Sequence, residues 1–250
     1  MMKTAVALVL TGLALLASGC AGDSEAQVGD SASPSLGAAD ALVLRTMTTG
    51  GIAGLGGPGT MPEFSLYGDG RVITGGSLPT EYHLTPQAFR RLVSAATEAG
   101  LAKPRTVDNP RVADAMYKVI TFVTGGRART TKIIQGGGRA DDPAARFLTR
   151  LAPASWSRGD QTSAPRPYHP SRVAVLAVSS PDGTGPKWPF KPLNTGTRVG
   201  MRSCNVLTGG DVAKAQRMAT RQQWRDGGRT YRVTIRPLLP DEHDCAALNR

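Results

Sequence analysis

Three cysteines and three histidines in 250 residues leave little material for metal or thiol chemistry. His83, His169 and His243 stand far apart, without the short regular spacing that a zinc site needs. Aromatic residues make up 5% of the chain, too few for a carbohydrate platform built from exposed rings. Acidic residues are outnumbered, 19 against 30 Lys and Arg, so the formal net charge is +11. No nucleophile elbow, phosphate loop or zinc-protease helix occurs. Gly136-Gly137-Gly138 lacks the lysine and hydroxyl that would make it a phosphate cradle and reads as a turn. A long apolar run is also missing. The stretch Ala5–Ala17 would extend only about 20 Å as a helix, against a hydrocarbon core roughly 30 Å thick.

What the N-terminus does contain is a basic start at Lys3, that short apolar core, and small residues before a thiol. These are the parts of a secretory signal peptide, expected over residues 1–19. Leu16-Ala17-Ser18-Gly19-Cys20 resembles a bacterial lipobox, with Ala17 standing where leucine is usual and Leu16 one step upstream. Cys20 is therefore the expected lipidation site. Two acyl chains, at about 0.8 kcal/mol per buried CH₂, would hold the protein where one chain would be marginal. The protein is then expected on the outer face of the cell membrane. Residues 20–40 are small and polar and read as a disordered tether.

With Cys20 acylated, Cys204 and Cys245 would remain as an even pair in an oxidising compartment, and they are expected to bond. Closing a loop of about 42 residues contributes roughly 4 kcal/mol on chain-entropy reasoning. The remaining charge, about +10, suits anionic lipid heads or envelope polymers. Nucleic acid would need a basic stripe or a recognition motif, and the arginines are scattered, as on a solvated surface.

Ala41–Met47 reads as the first strand and Gly50–Pro62 as a glycine-rich loop. Phe64–Tyr67 and Arg71–Thr74 flank Gly68-Asp69-Gly70, the pattern of a β-hairpin. That turn accounts for Asp69 without calcium or catalysis. Thr85 as N-cap, Pro86 at the first helical position and Gly100 beyond the end delimit a helix. Phe89, Leu92, Val93 and Ala96 form its apolar stripe, with Arg90 and Arg91 outside it. Lys103–Val112 reads as loop. Tyr117–Val123 and Thr130–Gln135 make a second hairpin across Gly125-Gly126. A second helix starts at Pro143, capped by Asp141 or Asp142, and buries Phe147, Leu148 and Leu151.

Residues 41–153 thus form a first hairpin and helix domain, and 154–170, rich in proline and serine, read as a linker. Residues 171–250 are expected as a disulfide-stapled β-α-β segment, either separate from the first domain or continuous with it. It comprises a strand at Arg172–Val178, an irregular stretch with Trp188-Pro189-Phe190, a helix from Thr208 or Asp211 to about Trp224, and a strand at Tyr231–Arg236. The bridge would tie the start of that last helix to the tail. The expected fold class is α+β: a mostly antiparallel sheet built from hairpins, with three helices packed on it.

Catalytic candidates are sparse. Ser179, Ser180 and Ser203 have no histidine or acid at a diagnostic spacing. Asp108, Asp114, Asp241 and Glu242 sit in loops, where functional groups concentrate but where aspartate also caps or solvates. Leu238–Asp244 reads as a turn that brings Cys245 to Cys204. Trp188 and Phe190 would line a groove or plug a sheet edge. No catalytic residue, metal ligand or cofactor is assigned.

Taken as a set, several stretches resemble uncharacterised secreted lipoproteins of high-GC actinomycetes. They are Phe64–Val72, Thr85–Leu101, Trp188-Pro189-Phe190, Cys204 before a glycine-preceded helix, and Arg236–Glu242 with Cys245. The resemblance implies the anchor, the paired cysteines and a single extended fold, and carries no catalytic residue. The expected function is a non-catalytic binding or accessory module of the cell envelope, its protein partner unknown. The alternative is an extracytoplasmic hydrolase using loop carboxylates.

Overall fold

The computed structural model describes residues 37–52, 54–108, 113–135, 141–181 and 183–249. The expected signal peptide, Cys20 and the expected tether up to residue 36 lie outside these, as do Gly136–Gly138.

The fold grows from the local signals. Strand β1 (Leu42–Gly50) leads to the hairpin β2 (Phe64–Tyr67) and β3 (Arg71–Thr74). At its turn the Arg71 N–H donates to Asp69 Oδ1 at 2.9 Å, and Gly70 takes a φ of 84° that a side chain would resist. Strand β4 (Thr80–His83) runs into helix α1 (Pro86–Glu98). Thr85 caps α1 by accepting from the Ala88 N–H, and Gly100, at φ 78°, ends it. There the Leu101 and Gly100 N–H groups donate to Ala96 and Thr97, which satisfies two carbonyls at the helix end.

Strand β5 (Arg105–Val107) follows, inside the stretch read as loop, and pairs parallel to β7. Strands β6 (Met116–Thr124) and β7 (Arg127–Ile134) are the expected second hairpin. Asp142, not Asp141, caps α2 (Pro143–Thr149), accepting from the Ala144 and Ala145 N–H groups.

Residues 154–170 are not a linker. Two short 3-10 turns and β8 (Arg166–Pro167) lie along β4, and Trp156 packs edge-on against Phe64 and Tyr82. An indole beside a phenyl and a phenol fills the sheet's flank, which outweighs the loop-like composition. The result is an eight-stranded sheet in the order β5-β7-β6-β1-β2-β3-β4-β8. Leu44, Leu66, Ile120 and Phe122 on one face meet Phe89, Leu92 and Phe147 of the two helices.

The rest of the chain forms a second sheet rather than extending the first. Its strands are β9 (Arg172–Ser180), β10 (Thr197–Val199), β11 (Arg202–Thr208), β12 (Gln223–Asp226) and β13 (Arg229–Pro237), in the order β10-β11-β9-β13-β12. Central β9 buries Val173 and Val175 on one face and Ala174 and Leu176 on the other, hence its unbroken apolar run.

Helix α3 is short, Gly210–Arg217. Neither Thr208 nor Asp211 caps it: Gly209 holds that position at φ 59° without a side-chain bond. Trp224, expected at the helix end, lies in β12 opposite Tyr231. Cys204 lies on β11, before the helix start, and bonds to Cys245 with Cα atoms 5.9 Å apart.

The architecture is therefore α+β with two mostly antiparallel sheets, α1 and α2 on the first and α3 on the second. The segment after β13 packs on both sheets. Leu239 joins Tyr67 and Ile73 of the first, whereas Leu238, Cys245 and Leu248 cover Ala174 and Leu176 of the second.

Candidate functional site

The face of the first sheet turned away from α1 and α2 is only partly covered. Its central strands pair Met47–Val119–Lys132 and Arg45–Thr121–Thr130 in successive cross-strand rows. This surface of valine, methionine and threonine forms the floor of a cleft of about 720 Å³. Gly56, Gly57 and Pro58 supply one wall, and Ala247 and Leu248 supply another. A volume of this size, with a largely apolar lining and a few fixed polar groups, is typical of small-molecule sites.

Four charged side chains and a phenol organise the cleft beside the C-terminal segment. Arg236 donates to Glu242 through Nη1 at 2.7 Å and Nη2 at 3.0 Å, and through Nε to the Thr60 carbonyl at 3.1 Å. The Leu239 N–H also donates to Glu242 Oε2, at 2.9 Å. Both side chains of this ion pair are only 4% exposed. Arg45 donates to Asp241 Oδ1 at 2.7 Å and to Ser65 Oγ at 3.1 Å, with Glu242 Oε1 3.7 Å from its Nη1.

Tyr67, fully buried, donates to the same Asp241 oxygen at 3.0 Å. Burial, and then the nearby Asp241 charge, push its hydroxyl well above the ordinary tyrosine value, so it remains a donor. Burial alone would lower Arg45, yet Asp241, Tyr67 and Glu242 hold it above its ordinary value. Asp241 Oδ2 is buried and has no hydrogen-bond partner in the structure. Two cations thus balance two carboxylates, and one acceptor is left over.

Of the four loop carboxylates expected as candidates, the structure brings together two, Asp241 and Glu242. Asp108 accepts from the Tyr117 hydroxyl at 2.7 Å, and Tyr117 pairs with Thr49. That places it four residues along β1 from Arg45, about 13 Å at 3.3 Å per residue. Asp114 precedes β6 at a positive φ of 52°.

The histidines are dispersed: His83 lies against Glu81 at 2.8 Å, and His243 against Arg172 at 2.9 Å. Ser203 is buried and donates to the Leu193 carbonyl. Among the described residues no group of three or more His, Cys, Asp or Glu could hold a metal ion. Trp188 is buried against Phe190 and Trp224 in the core of the second sheet and lines no part of this cleft.

Arg45, Tyr67 and Arg236 are functional candidates that the sequence reading missed. A signal existed for both arginines: each interrupts an apolar strand, and a charge in such a place is rarely buried without a partner. Comparison with protein-family models, with curated proteins and with solved structures finds no match for this chain.

Proposed function

We propose that this protein is a lipid-anchored, non-catalytic binding module of the cell envelope that holds a small amphipathic molecule in the cleft between β1, β6 and β7 and the C-terminal segment. The cleft is the observation that carries this reading. Its floor of Val119, Val123 and Met47 suits an apolar body. The threonines along β1, β6 and β7 suit a hydroxyl or amine on the ligand. Asp241 and Glu242 are both engaged by arginines, and an acid so paired is a poor proton donor or nucleophile; this favours binding over hydrolysis.

Two measurements test the proposal. Nile red, a neutral apolar dye, should bind with one-to-one stoichiometry and brighten. Val119→Trp, which fills the floor, should abolish binding while circular dichroism and thermal unfolding stay close to the parent. Dye binding that survives the substitution would remove the cleft from the argument. Mass spectrometry of the membrane extract should find residues 1–19 removed and acyl mass on Cys20, and a product without acyl mass would refute the anchor.

A further inference from the structure

Between residues 183 and 240 the chain has eleven Lys and Arg and only two carboxylates. One of these, Asp226, accepts from the Leu193 N–H at 2.7 Å, and the other, Asp211, lies in the first turn of α3. Four of the cations, Lys191, Lys214, Arg217 and Arg221, gather around one row of rings. Trp188 contacts Phe190 and Trp224 edge-on at 5.1 and 5.2 Å. Lys214 of α3 sits over Phe190, with Nζ 5.2 Å from the ring centre, and Arg217 follows one turn later. Arg221 sits over Trp224 at 5.6 Å.

The Trp188 indole donates to the Lys191 carbonyl, whereas Lys187 and Arg225, joined by a parallel backbone bridge, alternate with Trp188 and Trp224 and so belong to the opposite face. All four cations are exposed, and none forms an ion pair with a described residue. Arginine-rich sequence that reads as scattered is thus gathered here into one unneutralised patch.

We infer that this face of the second sheet docks a linear polyanion bearing phosphate groups. Guanidinium and ammonium donors match phosphate oxygens, and a patch in which cations outnumber acids concentrates such a partner by long-range attraction. A bilayer fits less well. Interfacial anchors need exposed apolar side chains, and the large exposed apolar residues Ile52, Leu55, Leu78, Met116 and Met201 all lie outside α3, β12 and residues 185–193. Single-stranded nucleic acid would stack its bases on open rings, but Trp188 and Trp224 are 3% and 4% exposed and their faces are occupied. The inference is independent of the cleft.

The test uses the full chain with Cys20→Ser, which carries no acyl group, and labelled long-chain inorganic polyphosphate as the probe. Binding should weaken linearly in log–log form with salt. The slope should shrink by about 0.7 for each cation removed, as for a single-stranded polyanion. Lys191→Gln with Lys214→Gln and Arg217→Gln leaves the buried Trp188 and Trp224 in place, so folding should persist. This variant should lose about tenfold or more in affinity, since each lost phosphate contact removes part of the counterion-release term. Arg90→Gln with Arg127→Gln and Arg158→Gln removes equal charge elsewhere and should cost far less.

Equal losses in the two variants would reduce the patch to net charge and overturn the inference, as would salt-independent binding. Phosphatidylglycerol vesicles and oligo-deoxythymidine are the comparators. If either binds more tightly than polyphosphate and loses more in the patch variant, the partner is a membrane or a nucleic acid and the inference fails.

Discussion

Arg236 and Glu242 meet in a setting where removing one partner is costlier than never having had either. With both side chains 4% exposed, the pair offsets its own desolvation only through its parallel hydrogen bonds and the Leu239 N–H. Glu242→Gln should leave a buried guanidinium uncompensated and lower stability by about 3–5 kcal/mol in urea unfolding. A loss below about 1 kcal/mol would mean that water already reaches the pair.

Glu81 and Asp142 set the acid limit. Burial alone would raise the Glu81 carboxyl, but hydrogen bonds from Arg166 and contact with His83 hold it below its ordinary value. Burial alone would likewise raise the Asp142 carboxyl, but hydrogen bonds from Arg105 and from the Ala144 and Ala145 N–H groups hold it below its ordinary value. A depressed carboxylate contributes stability above its unfolded pKa of about 4 and loses it as pH falls through the folded value. Thermal unfolding midpoints should therefore be flat with respect to these groups above about pH 5 and fall below pH 4. Glu81→Gln should reduce that slope.

Individual elements were readable where their signals are local. The β2–β3 hairpin, α1 and the β6–β7 hairpin each carry a turn or a cap within a few residues of the strand or helix it defines. Asp142→Ala should cost about 1 kcal/mol for the lost cap, and more because Arg105 loses its partner, as read by denaturant unfolding.

Elements defined by distant partners were harder to see. Strand β11 holds Asn205 and Ser203 among its apolar residues and closes against β9, whereas β12 gains its identity only from Tyr231 across the Gly227-Gly228 turn. The cleft was least legible. Arg45 and Asp241 meet across 196 residues of sequence, and no local pattern encodes that encounter. Gly196 marks another such contact, because a Cβ there would lie 2.2 Å from the Cys204 carbonyl oxygen. Gly196→Ala should displace β10 from β11 and lower the melting temperature by several degrees, since about 1 kcal/mol shifts a domain of this size by roughly 2–4 °C.

In the molecule as a whole, the Cys204–Cys245 bond holds the segment that also supplies Ala247 and Leu248 to the cleft. Reduction, or Cys204→Ser with Cys245→Ser, should cost about 2–5 kcal/mol. It should release bound Nile red at lower denaturant than the loss of helical signal from α1. Coincident transitions would instead mean that the tail and the sheets unfold together.

Residues 238–248 follow every strand in the sequence, yet they seal surfaces made from about forty to about two hundred positions earlier. A polypeptide threaded outward from its N-terminal end would present both sheets before the stretch that fits between them had emerged. Until it emerged, Tyr67, Ile73 and Leu176 would face solvent, open to proteases and to neighbouring chains. Quality control would then need to inspect only this late-arriving wedge to distinguish a sealed molecule from an open one.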